Sequence, residues 1–141
     1  MTVVIDASLA LKWVLQEVHT EDAVALRDHW LEHMELVIAP PIFRSEVTNA
    51  LHQRVRRRQL SSQDAVDMLE SLVSAVATGE PPGLYSRALT LASELELASA
   101  YDALYLALAD SEECEMWTAD QRLVHSAQPR FPMLRWLEES P

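Results

Sequence analysis

Residues 2–5, Thr2-Val3-Val4-Ile5, are β-branched and without polar alternation, the pattern of a short strand buried on both faces. Leu9, Val14 and Leu15 behind Ser8, a good capping residue, predict a helix from Ser8 to about Glu17. Thr20 is placed to cap the next helix, where Ala23, Leu26, Trp30 and Leu31 recur at helical spacing. Leu36 to Ala39 repeats the buried-strand pattern, and Pro40-Pro41 ends it and opens a helix from about Ile42 to Arg57. Ser61-Ser62-Gln63-Asp64 signals a further helix start, running to about Ala77. Thr78-Gly79-Glu80-Pro81-Pro82-Gly83 is the clearest loop. Beyond it come a helix from about Leu84 to Leu97 and a nearly all-apolar helix from Tyr101 to Asp110. A strand around Glu115–Thr118, a short helix around Gln121–Ser126 and an edge strand near Met133-Leu134 complete the order.

Strands alternating with helices predict an α/β fold on a mostly parallel sheet. A chain of 141 residues suits a single domain with a substantial core. No run approaches the ~18 apolar residues of a membrane span, and no signal peptide is visible ahead of Thr2. One cysteine, Cys114, leaves no internal disulfide and fits a reducing, cytoplasmic setting.

The formal net charge is −11, which argues against direct binding to duplex DNA. The charge is uneven, however: Arg54, Arg56, Arg57 and Arg58 supply four of the 11 basic residues. Local fields, more than totals, decide how a polyanion is received.

Four acids stand beside predicted buried elements. Asp6 follows the first strand, Glu46 lies one turn into the helix after the second, Asp102 opens the apolar helix, and Asp120 follows the strand ending at Thr118. Parallel sheets place ligand sites beyond the carboxyl ends of their strands, so this layout can bring all four together. Each alone reads as a cap, a turn former or a solvated residue. Together they repel: two unit charges 4 Å apart cost ~1 kcal/mol in water and ~4 kcal/mol at an effective dielectric of 20. A hard divalent cation relieves that repulsion, and Mg2+ or Mn2+ suits oxygen ligands better than zinc does. Such an ion activates water for phosphodiester hydrolysis. A receiver-type phosphoacceptor would need an acidic pair and a late lysine, but Lys12 is the one lysine. A dehalogenase-like phosphatase would need Asp-x-Asp, but position 8 is Ser.

The motifs Val3-Val4-Ile5-Asp6-Ala7-Ser8 with Leu11-Lys12-Trp13, Glu46-Val47-Thr48-Asn49-Ala50-Leu51, Tyr101-Asp102-Ala103-Leu104-Tyr105 and Thr118-Ala119-Asp120-Gln121-Arg122-Leu123 resemble, in order and spacing, the PIN-domain family. More narrowly they resemble VapC toxins of toxin–antitoxin pairs. The resemblance implies a three-layer α/β/α fold with four to five strands, spanning residues 1–141 as one PIN domain. It implies a Mg2+-dependent endoribonuclease, with Mn2+ as substitute, whose acidic quartet is Asp6, Glu46, Asp102 and Asp120. It also implies an RNA substrate, a VapB-type antitoxin and a homodimer. A PIN-fold nuclease of RNA maturation or decay is the alternative. A third strand, expected from the family in mid-chain, is not visible: Ser71–Gly79 reads as helix, then loop.

Ser8 is placed either to hold the Asp6 carboxylate or a metal-bound water, or to cap its helix. Asn49 shares a helix face with Glu46 and is placed to orient it. Thr118 shares a strand face with Asp120. Arg54, Arg57 and Arg58, on one helix face, either grip an RNA backbone or form a solvated helix end. Tyr101, Tyr105, Trp13, Trp30, Trp117 and Trp136 read as packing residues.

Overall fold

Five short strands, all parallel, form one sheet in the order β3-β2-β1-β4-β5 in the computed structural model, which describes residues 1–141. β1 (Thr2–Ile5) is central, with β2 (Leu36–Ala39) on one side and β4 (Met116–Thr118) on the other; β3 (Ala77–Thr78) and β5 (Leu134–Trp136) are the edges. The chain first builds outward from β1 through β2 to β3, then returns to the opposite side of β1 for β4 and β5. The connections leaving β1 and β4 therefore diverge, and a crevice opens between their carboxyl ends.

Helices cover the sheet. α6 (Ala100–Glu112) packs on β1 and β4, and α5 (Leu84–Glu94) packs on α6. Ala103 through Ala109 are all buried, so α6 is apolar all round because it is covered all round. α1 (Ala7–Leu11) lies against β4 and α3 (Ile42–Arg56), and α4 (Ser62–Ala75) lies against α3. α2 (Thr20–Glu32) and α7 (Gln121–Ala127) complete the set, α7 packing on β4 and β5. No helix is long and apolar enough to cross a membrane.

Several expected boundaries move. α1 ends at Leu11, not near Glu17. The apolar spacing of Val14 and Leu15 continues the period, but long-range bonds fold this segment into turns: the Lys12 amine donates to the Val18 carbonyl at 2.8 Å and the Trp13 indole to that of Ala23 at 3.0 Å. Asp6, not Ser8, caps α1, accepting from Leu9 N at 3.0 Å. Thr20 does not cap α2; the residue ahead of the helix is His19, with φ 67°, and the Thr20 hydroxyl donates to the Leu15 carbonyl. The segment expected as helix then loop does hold a third strand. α4 stops at Ala75, Val76 turns extended, and Ala77 and Thr78 pair with Ile38 and Ala39.

Candidate active site

Asp6 leaves the end of β1 with an extended backbone and turns its carboxylate back onto its own helix start. Oδ1 accepts from Leu9 N and from the Ser8 hydroxyl at 2.7 Å; Oδ2 accepts from the Thr118 hydroxyl at 2.5 Å. The residue is only 7% exposed. Burial pushes its acid up to about 6, against the pull of these three bonds, and the Asp102 charge adds to the rise.

Thr118 and Ser8 knit the two strand ends together. The Thr118 hydroxyl, fully buried, also accepts from Asp120 N at 3.0 Å, and the Ser8 hydroxyl accepts from Ala119 N at 3.1 Å. Asp120 caps α7 through Oδ1, which accepts from Arg122 N at 2.9 Å and Leu123 N at 3.4 Å, leaving Oδ2 free of protein donors.

Glu46 is half-buried on α3 and accepts at Oε1 from the Tyr105 hydroxyl at 2.5 Å. Burial raises its acid and the tyrosine bond lowers it, with a net rise. Asp102, half-buried in the first turn of α6, has no side-chain donor at all. Burial raises its acid, and the charges of Asp120 and Glu46 raise it further. Asp102 is thus within electrostatic reach of each of the other three acids. None of the four takes part in an ion pair.

No three of the four carboxylates lie within 4.8 Å of one another; the one trio of potential ligands that tight is His19, Asp22 and Glu138, none of them in the quartet. Unneutralised carboxylates stand apart because they repel. The spacing and the all-oxygen chemistry fit a hydrated hard cation such as Mg2+, which keeps several waters and needs few direct carboxylates. Thiol chemistry does not fit: Cys114 is buried, and burial together with the Glu112 and Glu115 charges pushes it up to about 11.

Other expected positions fall elsewhere. Asn49 is exposed and makes no bond to Glu46; Tyr105 takes that place. Tyr105 is packed as expected, 1% exposed, but its hydroxyl reaches Glu46 across 59 residues of sequence. The available signal was its i+3 spacing from Asp102, which puts both on one face of α6. Arg54, Arg57 and Arg58 do not share a helix face: α3 ends at Arg56, Arg57 caps it, and Arg58 has φ 59°. Arg54 is ion-paired with Glu17, while Arg57 and Arg58 are exposed.

Comparison with known proteins agrees with this geometry. The sequence matches the PIN domain over residues 3–128. It is 30% identical over 132 residues to the VapC ribonuclease Mb0985 of Mycobacterium bovis, covering 93% of this chain and 95% of that protein. Ribonuclease VapC9 of Mycobacterium tuberculosis matches with the same identity, 30%, and the same coverage. Among solved structures, PAE2754 of Pyrobaculum aerophilum superposes with a TM-score of 0.69 at 22% identity, over 98% of this chain and 93% of that one. VapBC2 of Rickettsia felis, bound to a DNA fragment from its promoter, gives a TM-score of 0.71 at 13% identity, over 96% and 97%. The chain belongs to the PIN-domain family, and within it to the VapC type.

Proposed function

We propose that this chain is a Mg2+-dependent endoribonuclease, the toxin of a VapBC-type pair, acting in the cytoplasm as one PIN domain over residues 1–141. The observation that carries this reading is the quartet itself: four acids around the sheet's switch point, three of them raised by burial and none of the four in an ion pair. Asp6, Glu46, Asp102 and Asp120 would hold the ion, with Mn2+ as a substitute. When bound, the ion supplies Lewis-acid stabilisation of the phosphodiester and activation of water.

The remaining roles belong to the chain's own groups. Thr118 and Ser8 fix both oxygens of Asp6, and Tyr105 fixes Glu46, so the ligands are set before substrate arrives. Asp102, with no donor, keeps both oxygens for the ion and its waters. Arg57 and Arg58 offer exposed cations for an RNA backbone at the end of α3.

A VapB-type antitoxin is the proposed partner, alongside a second copy of the chain. Tyr85, Leu89 and Tyr101 are 56%, 69% and 60% exposed. They border an apolar groove with Ser45, the neighbour of Glu46. Exposed apolar surface of this kind supports such an interface. Direct DNA binding by this chain is not part of the proposal. Sequencing of RNA 5′ ends after brief expression tests the function: new ends should arise with the native chain and not with Asp102→Asn. Identical profiles from the two would overturn the reading.

A further inference from the structure

The acidic site continues into a second feature. Asp120 and Ser8 also line a groove of about 470 Å³ whose other walls include His19, Gln121, Arg122 and Trp136. Arg122 is exposed and its guanidinium makes no ion pair or hydrogen bond, two residues from Asp120 in a chain of net charge −11. Lys12, Arg27, Arg54, Arg87 and Arg135 are each matched with a carboxylate; of the arginines that are not, Arg122 alone lines this groove. A cation left free beside a concentration of negative charge attracts a phosphate that the carboxylates alone would repel.

Trp136 supplies the second element. It lies on the edge strand β5, paired with Thr118, half-buried, with part of its ring packed on the core. Its indole N–H donates to Glu138 at 3.1 Å, and its ring meets His19 edge-on at 5.8 Å between centroids. Glu138 also contacts His19 at 3.0 Å, and Asp22 contacts His19 at 3.2 Å. Glu138 is thus engaged with both His19 and the indole, and Asp22 with His19, so the ring orientation is held through Glu138 and His19.

We propose that this groove binds the nucleotide next to the cleaved phosphodiester of single-stranded RNA, its base stacked on Trp136 and its phosphate held by Arg122. The inference rests on the ribonuclease reading. An aromatic face beside a free guanidinium is the pairing by which unpaired nucleic acid is tracked without base readout. A base within a duplex could not reach the ring, so the groove selects single strands.

Steady-state cleavage of a short single-stranded RNA by the intact chain tests it, comparing native protein with Arg122→Ala, Trp136→Leu and Trp136→Phe. Arg87→Ala, which removes the same charge outside the groove, is the control. Trp136→Leu should raise KM about five- to hundredfold, the span of one lost base stack. Trp136→Phe should restore most of it, and kcat should stay within about twofold in both. Arg122→Ala should raise KM and reduce the slope of log(kcat/KM) against log salt by about 0.7, one phosphate contact. Trp136→Leu should leave that slope alone. KM values matching the native chain in both groove variants would overturn the inference while leaving the nuclease reading intact. So would an equal rise in Arg87→Ala, or a loss confined to kcat. A native chain that cuts no RNA would instead sink the nuclease reading, and the groove with it.

Discussion

The Thr118 hydroxyl donates to Asp6 Oδ2 at 2.5 Å and accepts from Asp120 N at 3.0 Å, so one side chain on β4 joins two acids of the quartet. Sequence separates Thr118 from Asp6 by 112 positions; the parallel pairing of β1 with β4 makes them neighbours. Thr118→Val keeps the shape and removes both bonds. The buried Asp6 Oδ2 then loses its donor, at about 1–3 kcal/mol, and the part-buried Asp120 N loses its acceptor. Urea melts should show a loss in that range, and RNA cleavage should fall about 10- to 100-fold, as for other supports of a ligand set. Native cleavage by Thr118→Val would mean that Asp6 needs no fixing.

Asp6 gives a prediction in pH. Its acid is raised from 3.8 to about 6 in the folded chain. The folded state therefore keeps a proton that the unfolded state has lost between those values. Stability is unpenalised below about pH 4, falls as pH rises, and is lower by about 3 kcal/mol above pH 6. Glu46 and Asp102, raised for related reasons, act in the same direction. Without metal, Asp6→Asn should be more stable than the native chain at pH 7, by a margin that shrinks towards pH 4. Paired melts in EDTA across that range read it directly; a margin independent of pH would contradict it.

Tyr105→Phe should leave the core filled and the fold intact, because only the hydroxyl is lost. Glu46 would lose the bond that lowers its acid. The acidic limb of the cleavage pH profile should shift upward, with activity down about 10-fold or more at neutral pH. A smaller loss with an unchanged profile would reduce Tyr105 to packing.

The arginines separate by environment. The Arg54–Glu17 pair is partly exposed, with side-chain exposures of 30% and 26%, so Arg54→Ala should cost about 0–1 kcal/mol. It should also leave RNA affinity nearly unchanged, since its charge is already met. Arg57→Glu with Arg58→Glu should weaken RNA binding measurably at low salt. Unchanged affinity there would make both a solvated helix end.

The sequence exposed what local patterning can encode. Thr2–Ile5 and Leu36–Ala39 match β1 and β2 residue for residue, because buried parallel strands favour unbroken β-branched and apolar runs. Asp6 and Asp120 follow buried strands and Asp102 lies in the first turn of an apolar helix, so each is legible from its neighbours in sequence. β3 was hidden because its two residues are both exposed and carry no apolar signal. The end of α1 was hidden because Lys12 and Trp13 are tied to distant carbonyls while the apolar period runs on. Asn49 is nearer to Glu46 in sequence than Tyr105 is, but the Tyr105 hydroxyl reaches from α6 to Glu46 on α3. Tertiary contacts of this kind leave no mark on spacing.

That the four carboxylates form one cation site is tested most directly by cleavage of single-stranded RNA with metal-stripped protein, before and after Mg2+ or Mn2+ is returned. The native chain should be inactive in EDTA and recover with either ion, and folded Asp102→Asn should recover with neither. Cleavage that persists without metal, or full recovery in Asp102→Asn, would contradict it.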